Sequence, residues 1–402
     1  VAAFWPSAPT TALSGHVQVK PEGEAWLANL DVRNVRVAPA DQGGLPLHAL
    51  SLQLSQRGET WSVNHLKVSV GAGQVQGQGQ VRVRHETQGL VWDEAQAQLV
   101  IQGLQVQQLW SSLGAAAVNG QVQVKQLPQA AGAGGVVVEA DVQALVPAQA
   151  QLDAAKPRLR LQAEWQARDP TWQQGVLTLR EARLNAAQSE WDVQGQWDSE
   201  RQDFDGHWVV RMPGAQLQGQ GVLAATRGQG DAQMAWSDAE RWWAWLRGLQ
   251  RLPVLGPLVR EALASQSQLT VSGQAQAQLK WTGGWASWLG PHGPSRPART
   301  PAQPAPSLQA ELTVPQLKLQ TQADASPLTW KDTRLRVAGP MNALRLQTQA
   351  QLAVAAGVLR LNSQGELRSA SSPLLEGDAS LTQLSVQWQD RGDAAKAASW
   401  AL

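Results

Sequence analysis

The residue types able to do chemistry are few in this 402-residue chain, and they are scattered. Cysteine is absent, which removes disulfides, thiolate nucleophiles and cysteine-ligated zinc. The six histidines are His16, His48, His65, His85, His207 and His292. None pairs at i, i+2 or i, i+4, and no HExxH occurs, so zinc has no local scaffold. A GxSxG nucleophile elbow and a GxxxxGK[ST] phosphate loop are both missing. The run GAGQVQGQG at 71–79 comes close to a dinucleotide fingerprint, but it lies between strand patterns with no helix behind it. Asp203, Asp205 and Gly206 match part of a calcium loop and lack its third acid and its twelfth-position ligand. The remaining acids sit at turns, where their ordinary roles are solubility and turn formation. This inventory supports no catalytic residue, no metal set, no cofactor and no nucleotide site, and the chain reads as a non-enzyme.

Charge gives no alternative. The chain has 33 basic and 32 acidic residues, a net charge of +1, so no global field draws it to nucleic acid. Arg82 with Arg84 and Arg158 with Arg160 are i, i+2 pairs. With Arg33, Arg36, Arg334 and Arg336 they outline basic stripes suited to lipid headgroups or acidic partners, or simply a solvated outer face. Twenty tryptophans stand against two phenylalanines and no tyrosine. Tryptophan therefore supplies nearly all the aromatic packing, although its N–H also suits a rim between apolar and wet regions.

The elements that must position these residues are strands. An aliphatic residue alternates with glutamine or another polar residue from one end of the chain to the other, the period-2 signature of a sheet with one apolar and one wet face. The residues expected on the apolar face are Val17, Val19, Leu50, Leu52, Leu54, Leu66, Val68, Val70, Val81, Val83, Val122, Val124, Leu159, Leu161, Leu269, Val271, Leu344, Leu346 and Leu352. Several strands open on a tryptophan just after a turn, as at Trp26, Trp61, Trp191 and Trp330. Two stretches break the pattern. A short helix is expected near 104–118, and a helical insertion at 238–264, capped by Asp238 and interrupted at Pro253. The proline-rich run at 290–307 reads as a flexible loop. These features divide the chain into strand segments at 1–130, 131–289 and 308–402. The chain opens at Val1 without methionine and ends at Leu402, which reads as a fragment of a longer protein.

With strands of about six residues, this length would give on the order of 30 to 40 of them. A twisted sheet of that size splits into sandwiches, closes into barrels, or curls into a trough. The expected class is all-β: a long, twisted, curled, antiparallel-rich sheet forming a hydrophobic groove, with a few short helices. A trough needs a filling, and acyl chains are one candidate, at about 0.8 kcal/mol per buried methylene.

One family shares these motifs. In TALSGHVQVKPEGEAWLANLDVRN, Gly15, Val17 and Val19 precede Trp26 and Asn34; Leu45–Pro46–Leu47 and the glycines Gly77 and Gly79 follow. This order resembles the TamB family of the AsmA-like superfamily, and LQVQQLWSSLGAAAVNGQVQV looks like that family's short helix before a strand. The likeness is strongest over 1–125 and 260–290. It implies the periplasmic part of an inner-membrane-anchored envelope protein of a Gram-negative bacterium. Its partners would be phospholipid acyl chains, carried between the inner and outer membranes, and an outer-membrane β-barrel of the TamA type. Assembly of outer-membrane or autotransported proteins is a second implied role, and a plain structural β-repeat remains a third reading. The family's membrane helix and C-terminal domain are not recognisable in this chain.

Overall fold

The computed structural model describes residues 11–86, 89–111, 116–130, 133–145, 156–169, 172–251, 259–261, 269–284, 306–321, 326–372, 376–390 and 397–401. The chain divides into two compact units, Val1–Gln188 with Arg251–Pro257, and Ser189–Gln250 with Leu258–Leu402. The expected division between residues 130 and 131 falls at a hairpin inside the first unit. Most of 290–307 lies outside the described residues.

The first unit holds β1 (Leu13–Glu22), β2 (Ala25–Asn34), β3 (Ala49–Arg57), β4 (Thr60–Val70), β5 (Gly73–Glu86), β6 (Gly89–Gln105), β7 (Ala117–Ala130), β8 (Ala133–Leu145), β9 (Arg158–Ala167) and β10 (Gly175–Ala186). Each strand pairs antiparallel with the next, so the unit is one up-and-down meander. No pairing joins β1 to β10 among the described residues, and the sheet is open rather than a barrel. The strands are long because the alternation persists through them: β5 has 14 residues and β6 has 17. That length departs from the sequence estimate of 30 to 40 strands, since the described residues form 21. Six-residue strands would expose too narrow an apolar band to be sheltered, whereas longer ones place several apolar residues side by side.

The second unit repeats the design in β11 (Ser189–Asp198), β12 (Asp203–Met212), β13 (Ala215–Ala224), β14 (Gly228–Trp236), β15 (Thr270–Thr282), β16 (Ser307–Gln320), β17 (Leu328–Pro340), β18 (Ala343–Ala353), β19 (Gly357–Ser372), β20 (Glu376–Asp390) and β21 (Ala397–Ala401). These also pair antiparallel in chain order.

The helices are small. The segment near 104–118 gives one turn, α1 (Val106–Leu109). The 238–264 segment gives α2 (Ala239–Gly248). Val259–Glu261 are also helical, and the rest of the expected second helix lies outside the described residues. In α2, Asp238 accepts a hydrogen bond from the Arg241 amide at 3.0 Å, filling the N-cap role its sequence suggests. Trp243 is buried, and its indole N–H donates to the Leu269 carbonyl at 2.7 Å, pinning α2 to the start of β15. Trp242 packs edge-on against Trp236 of β14, with ring centres 6.0 Å apart.

The turn at Pro213–Gly214 receives this helix. Gly214 has φ +73°, and a Cβ there would lie 2.1 Å from the Asp238 carbonyl oxygen. The Asp238 amide donates to the Gly214 carbonyl at 3.1 Å. Gly214→Ala is therefore expected to cost about 1–2 kcal/mol from the left-handed backbone alone, and the clash adds to it. Hydrogen exchange over Ala239–Gly248 should quicken in this variant while the strands of the first unit keep their protection. Unchanged exchange in α2 would show that the helix does not depend on this turn.

Candidate functional site

The register of the first unit brings the alternating aliphatic residues together. Three rows run across all ten strands on one face. The first is Val19, Ala28, Leu54, Val63, Gly79, Ala97, Val124, Val138, Ala163 and Leu179. The middle row is Val17, Leu30, Leu52, Leu66, Gly77, Leu99, Val122, Ala140, Leu161 and Ala182. The third is Gly15, Val32, Leu50, Val68, Val75, Ile101, Gly120, Val142, Leu159 and Leu184. No position in these rows carries a polar side chain. Neighbouring rows lie about 6.7 Å apart and neighbouring strands about 4.8 Å apart, so the rows bound two parallel furrows running across the strands.

This apolar lane is uncovered. Most of its residues are half-buried, each sheltered by its neighbours and by no second layer of described residues. On the edge strand β1, Val17 is 62% exposed and Val19 59%.

Bulges keep the rows in phase. Between β4 and β5 the register shifts between Val63 and Leu66. Between β6 and β7 it shifts between Ile101 and Leu104, where Gly103 has φ +59° and its amide donates to the Asn119 side chain at 2.7 Å. An extra residue without such a bulge would send the rest of the strand's aliphatic side chains to the wet face.

Of the residues expected on the apolar face, Val17, Val19, Leu50, Leu52, Leu54, Leu66, Val68, Val122, Val124, Leu159 and Leu161 stand in these rows. Val70, Val81 and Val83 share the face beyond the rows, on the same alternation. The second unit carries its own apolar face. Val271 opposes Leu319 there, and Leu344, Leu346 and Leu352 oppose Leu367, Gly365 and Leu359. Leu269 precedes β15, and its carbonyl serves as the anchor for α2. This second face is less uniform, since Thr348 and Ser363 form a polar pair within one of its rows.

Many tryptophans have a packing role the alternation alone does not reveal. In the second unit, Gly195, Gly206, Gly221 and Gly230 form a row across four strands. The Phe204 ring lies against Gly195 and Gly206, the Trp208 ring against Gly219, and the Trp281 ring against Gly230. Each ring occupies the space a Cβ would need, so any larger residue at these glycines would displace the ring. In the first unit the Trp165 ring covers Gly175 in the same way. Trp26 and Trp61 differ, being 55% and 41% exposed.

The two ends of the lane in the first unit are unlike. One end carries the loop at 35–48 and α1. The buried Asn34 organises that loop: its side-chain oxygen accepts from Thr11 Oγ1 at 2.9 Å and the Arg36 amide at 3.1 Å, and its amide donates to the Leu45 carbonyl at 3.0 Å. The Gly71 amide donates to His48 Nδ1 at 2.9 Å, and the Ser111 amide donates to Asp41 Oδ1 at 2.9 Å, tying the loop to the turn after β4 and to the segment after α1. Val70 is buried at this end. The other end consists at β1–β4 of tight turns at Gly23 and Gly58.

The opposite face is polar. Gln78, Gln98, Gln123, Glu139, Gln162 and Glu181 form one of its rows, and Gln162 donates to Glu139 at 3.1 Å. The arginine pairs lie on this face and are partly neutralised: Arg158 and Arg160 both meet Asp141, Arg82 meets Glu94, and Arg334 meets Glu311. A shallow pocket on the polar face of the second unit is lined by side chains including Arg334, Arg336, Gln347, Asn362 and Gln364. Asp203, considered for calcium, pairs with Arg227. No group of three His, Asp or Glu side chains that could hold a metal ion occurs among the described residues. No protein-family model, curated protein or solved structure matches the chain.

Glu164 is the most sheltered acid of the polar face in the first unit, its side chain 8% exposed. Hydrogen bonds from Gln166 and then Arg180 hold its carboxyl below the usual range, against the opposing effect of burial. A bulge between Leu179 and Glu181 marks Arg180 as the inserted residue. Because the folded-state pKa is lowered, the stabilisation is complete above the ordinary glutamate value and is lost as pH falls through the lowered one. Glu164→Gln should cost about 1–2 kcal/mol at neutral pH and flatten the acid dependence of exchange in β8–β10. An acid profile identical to the parent's would assign the dependence to other groups.

Proposed function

We propose that this chain is a lipid-carrying groove of the TamB type, whose apolar lane holds phospholipid acyl chains. The observation that carries the reading is the set of three rows of aliphatic residues and glycines, with no polar side chain, left uncovered across ten strands. A hydrocarbon chain seated in a furrow would keep its carbons about 4 Å from both flanking rows, the optimum for dispersion contact. Each methylene so buried contributes about 0.8 kcal/mol. The uniformity of the rows favours movement along the lane over capture at one point. The sequence resemblance implies that this activity belongs to the periplasm of a Gram-negative envelope, moving phospholipid between the inner and outer membranes.

A second reading is favoured by β1. It pairs with β2 alone among the described residues and is exposed along its whole length. Such an edge can accept a client strand, as a scaffold for outer-membrane or autotransported proteins would, with a barrel partner of the TamA type.

Val122 and Gln123 are adjacent in β7 and face opposite sides, which gives a matched test. Purified parent protein should carry phospholipid detectable by mass spectrometry. Val122→Lys should reduce it several-fold with its circular dichroism preserved, while Gln123→Lys should not. A folded parent protein free of lipid would refute the groove, and crosslinking of clients to β1 would then favour the scaffold.

A further inference from the structure

The lane in the first unit has two lips, and they are chemically different. Beyond the first row, at the turn end, the register sets Pro21, Trp26, Gln56, Trp61 and Val81 side by side. Trp26 and Trp61 both oppose Gln56, one on each side, so the two indoles stand about 10 Å apart on the same face. They are 55% and 41% exposed. Neither indole N–H has a hydrogen-bond partner among the described residues. Gln56 donates to the Gly58 carbonyl at 3.2 Å, which holds its amide beside the turn. Unlike Trp165 and Trp281, these two rings do not occupy the Cβ space of any glycine.

At the helix end the corresponding positions are taken up by the chain itself. Asn34 spends its side chain on the 35–48 loop, Val70 is buried, and His48 and Asp41 tie that loop to Gly71 and Ser111. Asn34, His48 Nδ1 and Asp41 at that lip already have partners, and the exposed Trp110 and the unpartnered Gln108 Oε1 there belong to α1 and its cap rather than to a row of the lane, whereas the turn-end lip sets two unspent N–H donors in one row beside the hydrocarbon lane.

We propose that the Trp26–Gln56–Trp61 row is the headgroup lip of the groove, where the oxygen atoms of a diacyl glycerophospholipid emerge from the lane. The assignment rests on the lipid reading given above. The indole bodies extend the apolar lane, and their N–H groups donate to phosphate or ester oxygens at its border. This is the amphipathic service tryptophan gives at membrane interfaces. The two chains lie in the two furrows, and the headgroup rides outside on one side only.

The chain has no cysteine, so single cysteines can be placed at will. Gln56→Cys marks the turn-end lip, and Val118→Cys marks the helix end, where Val118 opposes Leu104 and Ala144. Each is labelled with a nitroxide, and the full chain is loaded with phosphatidylcholine carrying a second nitroxide on its headgroup. Pulsed dipolar electron resonance should give a shorter headgroup distance from Gln56→Cys than from Val118→Cys. A longer or equal distance overturns the lip assignment. Absence of any dipolar signal from either site, or from Val122→Cys with a chain-labelled lipid, means that lipid does not enter and the lipid reading itself fails. Adding Trp26→Leu and Trp61→Leu together should lengthen or broaden the headgroup distance at Gln56→Cys several-fold in width, while the chain-label signal at Val122→Cys persists. An unchanged headgroup distance in that variant would remove the indoles from the role.

Discussion

The constraint on which the structure depends is an unbalanced sheet. Every strand of the first unit carries aliphatic side chains on one face, and no second layer covers them among the described residues. A sandwich would resolve this by packing two apolar faces together, and a barrel by turning the face inward on itself. Each unit here does neither. Long strands and unbroken rows shelter the side chains laterally, which leaves them half-buried, and a hydrocarbon ligand would complete the burial. The glutamine-rich outer face follows from the same constraint. Uncharged amides can stand in adjacent rows without the repulsion that like charges would bring, and the few arginines are placed opposite acids, as at Asp141.

Much of this was legible in the sequence because a strand's period of two is short and needs no knowledge of distant contacts. The alternation through Leu50, Leu52 and Leu54 identifies both the element and its apolar face, and the register then aligns it with Leu30 and Leu66. The number of strands was not legible, because strand length depends on where turns form, and an alternating run such as β6 gives no internal sign of stopping. Bulges were hidden for a related reason: they appear only when two strands are paired and counted against each other, as at Gly103. Leu269 fits the alternation, yet it lies outside the strand because α2 claims its carbonyl.

Two groups of tryptophans stand apart in a way that composition could not reveal. Those lying on glycines are matched to a neighbour one strand away, so the signal is a cross-strand pairing rather than a local motif. Trp26 and Trp61 carry a local signal, since each follows a turn and opens a strand. Their shared position becomes visible only when Gln56 is found between them.

The meander has a last consequence, for growth and folding. Within each unit every described strand pairs only with its chain neighbours, so each sheet is nearly one-dimensional. Assembly can begin at any hairpin and zip outward without waiting for distant segments, which suits a chain of this length. The same connectivity makes the hairpin a unit of inheritance. Duplicating two strands adds about 10 Å of sheet and leaves the facing of every later residue unchanged, whereas a single-strand insertion would reverse the direction of everything after it. A protein of this kind can thus be lengthened by gene duplication with the facing of its existing strands intact.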